Sequence, residues 1–88
     1  MNSVERVAAR TRELRTKLGL TQQEFAELAD MSEKFLQQIE ARRKKQIWVS
    51  TVEQIAQGFG LELHEFFAPQ IPANLRLTKK VISSRTHR

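Results

Sequence analysis

The feature that most constrains this chain is the segment 21–40, which has the pattern of two short helices separated by a turn. Thr21 and Glu24 have the spacing of a capping box, in which each side chain accepts from the other residue's backbone amide. The apolar residues that follow share one arc at about 100° per residue: Phe25, Ala26, Leu28 and Ala29. This stripe stops at Asp30, and Ser32 provides a second N-cap. The segment therefore predicts two helices that begin at Thr21 and Ser32.

The second of these helices has two faces of different chemistry. Leu36 and Ile39, with Phe35 beside them, point to one side. The other side carries forked donors and acceptors and one small apolar residue: Glu33, Lys34, Gln37, Gln38 and Ala41. A face of this kind suits the edges of bases in the DNA major groove, which is wide enough to admit a helix. The pattern predicts a helix-turn-helix that binds double-stranded DNA.

The base-reading candidates are the four polar residues Glu33, Lys34, Gln37 and Gln38. Lys donates to guanine, Gln pairs with adenine in bidentate fashion, and Glu accepts from cytosine. Taken alone, an ordinary polar helix face would be the better interpretation. Base reading is favoured because the face lies at the N-terminal end of the second helix of the motif, where such helices meet bases. For Phe35, packing in the core is favoured over contact with a thymine methyl.

The remaining helices are predicted from their own caps and apolar stripes. Helix 1 is expected to begin at Ser3 as N-cap and to stop at Gly19. Ser50 and Glu53 form another capping box, which predicts the start of helix 4. That helix is expected to end at Gly60, and a short fifth helix should follow and end at Pro69. The loop of residues 41–49 should be pinned against the core or a partner by its apolar residues: Ile47, Trp48 and Val49.

Five pieces of the chain together resemble one family. They are residues 14–22 (LRTKLGLTQ), 25–26 (FA), 39–40 (IE), 51–56 (TVEQIA) and 59–61 (FGL). In this order and spacing they resemble the phage-repressor (Cro/CI, or XRE) family over about residues 5–68. The resemblance implies an all-α, five-helix, lambda-repressor-like domain at 1–68, with the helix-turn-helix at 21–40 and a basic tail at 69–88. The chain departs from the family at Asp30, where a turn Gly is usual, and at residues 41–42, where Ala-Arg replaces Arg-Gly.

The resemblance also implies roles for single residues. Gln22 matches a glutamine that binds a DNA phosphate, against the alternative of a merely solvent-exposed side chain. Arg15 and Glu40 match an ion pair that ties helix 1 to helix 3; the alternative is an arginine that extends to solvent alone. Of the base-reading candidates, the main family positions are matched by Glu33, Lys34 and Gln38. Ser32 is assigned to the phosphate backbone.

Charge is segregated along the chain. Residues 1–68 hold ten basic and ten acidic side chains, and the five basic residues of 69–88 supply the net charge of +5. The basic block, defined as Arg42, Arg43, Lys44 and Lys45, is followed by residues 46–68 with three acids and no Lys or Arg. In an arbitrary protein the basic block would be a solvated loop. Directly after a recognition helix, contact with DNA phosphates is the favoured interpretation.

Composition excludes several classes of function. The absence of cysteine removes disulfides, thiolate catalysis and cysteine zinc sites together. We find no signal peptide and no apolar run of about 18 residues, so we expect no membrane association and a reducing cytoplasm, in a bacterial or phage-encoded protein. Neither His64 nor His87 has neighbours suited to metal binding or acid–base chemistry. The sequence therefore predicts no metal, no cofactor and no enzymatic activity.

One domain of this kind reads too few base pairs to discriminate within a genome. We therefore expect a homodimer on a palindromic operator, with half-sites about 34 Å apart, acting as a transcriptional repressor or autoregulator. The predicted dimer surface consists of apolar residues that a monomer would leave partly exposed: Leu63, Phe66, Phe67 and Ile71. Two alternatives are an antitoxin that neutralises a partner toxin and autoregulates its operon, and a restriction-modification controller.

Overall fold

The computed structural model describes residues 2–70, and within that range the chain forms helices and no strand. The helices are α1 (Ser3–Lys17), α2 (Gln22–Leu28), α3 (Glu33–Glu40), α4 (Val49–Gly58) and α5 (Leu63–Phe66). The prediction of an all-α, five-helix domain is confirmed. The predictions for the basic tail from Ile71 onward, including the place of Ile71 in a dimer surface, lie outside the described residues.

The two predicted caps of the central motif are present. The Thr21 side chain accepts from the Glu24 amide at 3.0 Å, and the Glu24 carboxylate accepts from the Thr21 amide at 2.9 Å. Ser32 Oγ accepts from the Phe35 amide at 3.1 Å. Each of these contacts satisfies a backbone donor that has no partner inside its helix. The boundaries of α2 and α3 are thus set by local chemistry.

The predicted start of α1 is wrong by one residue. Asn2, not Ser3, is the N-cap: Asn2 Oδ1 accepts from the Glu5 amide at 2.9 Å, and the Glu5 carboxylate accepts from the Asn2 amide at 3.2 Å. Both Asn and Ser cap helices well. The choice falls on Asn2 because a glutamate stands three residues after it, which completes a capping box.

The predicted capping box of Ser50 and Glu53 is also wrong. α4 begins two residues earlier, with Trp48 as N-cap and no side-chain cap. The Trp48 carbonyl accepts from the amides of Thr51 and Val52 at 3.0 and 3.1 Å, so the first turn closes through the backbone alone. Ser50 therefore lies inside the helix, on its exposed side.

The core joins side chains from all five helices. At its centre the rings of Phe25 (α2) and Phe59 stack, with centroids 4.1 Å apart and 16° between the planes. Leu14 on α1, Leu36 on α3 and Phe66 on α5 are fully buried around this stack. Packing of α1 on α3, α2 on α3 and α4 on α5 completes the domain. α3 is thereby held on two sides, with its third side left to solvent.

The turn between α2 and α3 is secured from outside the motif. Asp30 adopts the left-handed conformation there, with φ of 58°, which Asp tolerates better than most residues. Gln54 on α4 donates its amide to the carbonyls of Ala29 and Asp30 at 2.5 and 2.9 Å. Carbonyls at the C-terminal end of a helix have no partner within it, so this side chain satisfies them. Asp30 thus replaces the usual turn glycine without loss of the turn.

Gly58 gives a test of packing at the centre of the core. A Cβ at Gly58 would lie 3.0 and 3.1 Å from two ring atoms of Phe25 and 3.3 Å from Ala29 Cβ. Alanine gains about 1 kcal/mol in helix propensity, but overpacking a core costs about 1–3 kcal/mol. We expect Gly58→Ala to lower the free energy of unfolding by about 1 kcal/mol in urea titrations. Gln57→Ala, on the exposed side, is the control; a Gly58→Ala midpoint at or above wild type would contradict the expectation.

Candidate nucleic-acid interface

The outward face of α3 is polar and open to solvent, and two apolar side chains on its inner face are buried completely. Leu36 and Ile39 have no exposed surface and anchor the helix on the core. On the opposite side lies a shallow depression of about 260 Å³, in which ammonium, guanidinium and amide groups face solvent. It is lined by Lys34, Gln37, Gln38, Ala41 and Arg43. The structure therefore brings three of the four base-reading candidates to one surface and adds Arg43 beside them.

The fourth candidate, Glu33, lies one turn before Gln37 and is hydrogen-bonded to it. Gln37 Nε2 donates to Glu33 Oε2 at 3.3 Å. The bond occupies one amide hydrogen of Gln37 and leaves its carbonyl oxygen and second hydrogen available. Glu33 is thus linked through Gln37 to the surface that also carries Lys34 and Gln38.

Phe35 lies at the edge of the core, where it is partly buried against the apolar cluster. The ammonium of Lys44 stands 5.0 Å from the centre of its ring, within the range of a cation–π contact. Core packing is therefore the role that the structure gives Phe35. The contact also holds one lysine of the basic block close to α3.

Arg15 and Glu40 form a buried bidentate ion pair. Arg15 Nε and Nη2 donate to the two carboxylate oxygens of Glu40 at 2.8 and 2.9 Å. Arg15 Nη1 donates to the Leu20 carbonyl at 2.8 Å. The side chains are only 12% and 4% exposed, and bidentate charge-assisted bonds are among the strongest in proteins. The pair joins the end of α1 to the end of α3 and to the backbone just before α2.

Gln22 belongs to the same network. Its Nε2 donates to Glu40 Oε1 at 3.1 Å, so this carboxylate oxygen accepts from both Gln22 and Arg15. A primary amide has two hydrogens, and the second remains able to donate to an anion. Sequence reasoning missed this contact because it joins residues on different helices, and no local spacing signals it. The consequence is a Gln22 side chain that is oriented before any ligand arrives.

The side chains of the basic block lie next to different parts of the domain. Arg42 adopts the left-handed conformation, with φ of 61°, at a position where the related family has glycine, and its guanidinium lies 3.6 Å from Glu5. Arg43 lines the depression on α3. Lys45 is exposed and lies beside Trp48. Arg43 is therefore the member of the basic block that lies beside the outward side chains of α3.

One residue of the predicted dimer surface is misplaced. Phe66 is fully buried in the core of its own chain, so its assignment to an interface between chains is wrong. α5 packs on α4, and Phe66 meets Phe67 edge to face with centroids 5.2 Å apart. Leu63 and Phe67 are partly buried against the same core. The large apolar side chains that do face solvent in the described range are Trp48 and Val49, at 78% and 65% exposure.

Two other features, a metal-ion cluster and a membrane-spanning helix, are not found between residues 2 and 70. There, no group of three or more His, Cys, Asp or Glu side chains is arranged to hold a metal ion. Of the helices in the described part of the chain, none has the length and apolar character needed to cross a membrane.

Comparison with known proteins agrees with this geometry. A helix-turn-helix family model matches residues 12–66, which include α2, α3 and the Arg15–Glu40 pair. Among solved structures, the chain is similar to a hypothetical transcription factor, NHTF, from Neisseria, with a TM-score of 0.69, 22% sequence identity and coverage of 77% of each chain. At that identity the likeness establishes a shared fold alone. No curated protein sequence matches the chain.

The Arg15–Glu40 pair predicts a specific pattern of stability changes. Removing either partner leaves the other buried and unpaired, so Arg15→Met and Glu40→Leu should each lower the free energy of unfolding by about 3 kcal/mol or more. Replacing both should cost less than the sum of the two single losses, because no charge is stranded. The measurement is a double-mutant cycle by urea denaturation. A coupling of zero would show that the two side chains do not interact.

For Arg42, which has a left-handed backbone conformation, we expect a substitution that stabilises the protein. A side-chain-bearing residue in this conformation costs about 1–2 kcal/mol, and an exposed ion pair such as the one with Glu5 returns little. Arg42→Gly should therefore raise the free energy of unfolding by about 1 kcal/mol. Arg43→Gly removes the same charge at a position without positive φ and should not stabilise the protein. Equal changes in the two variants would contradict the strain at Arg42.

Proposed function

Because the chain belongs to the XRE type of the helix-turn-helix family, whose members are DNA-binding transcriptional regulators, we propose that it binds a specific double-stranded operator as a homodimer. The observation that carries the proposal is the outward face of α3, which is polar and open to solvent while Leu36 and Ile39 on the inner face are fully buried. A helix of this shape and chemistry fits the major groove. The buried ion pair at its C-terminal end fixes its direction.

Sequence reading is assigned to the polar groups on α3. Lys34 donates to guanine O6 and N7, and Gln38 pairs with adenine N6 and N7. Glu33 and Gln37, already hydrogen-bonded to each other, act together: the free oxygen of Glu33 accepts from cytosine N4 while Gln37 offers its second hydrogen. The outward face of α3 thus presents three base-contacting groups over about two turns of helix.

Contacts to the phosphate backbone of DNA are assigned to groups around that face. Gln22 is oriented by Glu40 and offers its second amide hydrogen to a phosphate, and the Ser32 hydroxyl lies at the start of α3. The basic block adds charge on the side of the C-terminal end of α3: Arg42, Arg43, Lys44 and Lys45. Phosphate contacts of this kind set register and orientation, whereas base contacts supply specificity.

The protein regulates transcription by occupying its operator. Two copies related by a two-fold axis read a palindrome whose half-sites lie about one helical turn apart. Such a dimer on a promoter excludes other proteins from the same DNA, which makes repression or autoregulation the simplest outcome.

Selection of bound sites from random double-stranded DNA tests the proposal. We expect one enriched motif with two-fold symmetry and half-site centres about 10 base pairs apart. A motif without symmetry would contradict the homodimer. A selection that enriches nothing would contradict operator binding and would favour a protein that acts mainly on a partner, as an antitoxin does.

Two substitutions distinguish side chains that contact bases from side chains that contact the phosphate backbone. Gln38→Ala should weaken binding to the selected site by about 1–3 kcal/mol and leave binding to scrambled DNA nearly unchanged. Arg43→Ala should weaken both alike and lower the salt slope by about one. The measurement is a pair of salt titrations for each variant, on operator and on scrambled DNA.

Gln57→Ala on the exposed side of α4 is the control for a glutamine lost from a helix surface, and it should bind as wild type does. If Gln38→Ala lowers the two affinities equally, α3 is not the reading element.

A further inference from the structure

Trp48 and Val49 form an apolar protrusion on the surface of the domain. Trp48 is the N-cap of α4 and is 78% exposed, and Val49 after it is 65% exposed. Their neighbour Ile47 turns inward and packs on the core. Nothing in the helix start needs an indole, because the first turn of α4 closes through the backbone. An exposed tryptophan and valine side by side make this part of the surface a candidate interaction site.

Beside this protrusion lies an apolar cleft. It has a volume of about 150 Å³ and is lined mainly by aliphatic and aromatic side chains: Val4, Val7, Ile47, Val49, Val52, Leu63 and Phe67. Val4 and Ile47 also line a second depression together with Trp48. The protrusion and the cleft are therefore adjacent, share a wall, and face outward from the same part of the molecule.

We propose that this face is the contact between two copies of the chain, in which the Trp48 indole of each copy enters the cleft of the other. A two-fold interface is isologous: each copy supplies the same patch, so a group that protrudes from the patch needs a cavity in that same patch to receive it. The adjacent indole and cleft meet that requirement. The inference rests on the proposed homodimer and specifies where its interface lies.

Charge around the patch fits the same partner. Lys45 lies beside Trp48, and Glu53 lies one turn along α4 from Val49, with both side chains exposed. A two-fold axis through the apolar patch would place the positive edge of one copy against the negative edge of the other. Complementary edges of this kind favour one orientation over others.

The position of the patch also bears on DNA reading. Only the loop of residues 41–47 separates the end of α3 from Trp48. An interface at Trp48 would therefore set the spacing of the two recognition helices through a short connection. The basic block lies within that connection, so its two copies would meet the DNA between the half-sites.

Trp48 is the sole tryptophan of the chain, so its fluorescence reports on this face alone. The experiment is a dilution series of the full chain, followed by tryptophan emission, acrylamide quenching and sedimentation equilibrium. We expect a blue-shifted, poorly quenched indole at concentrations where the protein sediments as a dimer. On dilution the emission should shift to the red with the same midpoint as dissociation.

Variants test the interface independently. Trp48→Ala should raise the dimer dissociation constant at least tenfold with an unchanged helical circular dichroism signal, since the side chain is exposed and outside the core. Lys45→Glu and Glu53→Lys should each weaken the dimer, and the double exchange should restore it. Gln57→Ala, also exposed on α4, should leave the dissociation constant unchanged.

Three results would overturn the inference. One is a dimer whose indole stays exposed and whose dissociation constant is unaffected by Trp48→Ala; this leaves the homodimer intact and moves its interface elsewhere. Another is a monomer with an exposed indole at every concentration. The last is an emission shift that occurs only when DNA is added, which would place the indole against DNA. The proposed operator binding is judged separately, by the selection from random DNA.

Discussion

The bidentate bond between Arg15 and Glu40 is the contact on which the arrangement of the motif depends. Apolar packing holds α3 against α1 and α2, but packing alone permits small rotations and slips of a short helix. The two parallel hydrogen bonds, at 2.8 and 2.9 Å, are satisfied in one alignment of α1 and α3 only. Any other alignment would strand two charges that are almost fully buried, which is costly. The pair therefore fixes the orientation of α3 relative to α1.

Gln22 extends this orientation to a second functional element. Since one oxygen of Glu40 accepts from both Arg15 and Gln22, the amide at the start of α2 is fixed relative to the end of α3. Under the proposed function, the group that holds the backbone of DNA and the helix that reads the bases share one anchor. The left-handed Arg42 stands just beyond that anchor, and backbone strain of this kind clusters at functional sites.

Sequence reasoning succeeded where the determinants were local. The capping box of Thr21 and the N-cap at Ser32 depend on residues three positions apart, and the apolar periodicity of α3 identified Leu36 and Ile39 as buried. It failed at the start of α1, where Asn2 and Ser3 are both good N-caps and the capping-box glutamate that favours Asn2 was overlooked. It failed again at Phe66, because two adjacent aromatic residues at the end of a four-residue helix carry no periodicity that tells which one faces the core. Only the packing of α5 on α4 decides that.

The two hydrogen bonds from Gln54 to the carbonyls of Ala29 and Asp30 have a consequence for the autonomy of the motif. The turn between α2 and α3 is completed by a side chain from α4, outside the twenty residues that define the motif in the sequence. A segment 21–40 moved into another scaffold would carry its caps and its polar face with it but would leave these carbonyls without their donor. The unit that folds with this support is therefore the whole domain, and under the proposed function its DNA specificity can change at the outward side chains of α3 without loss of that support.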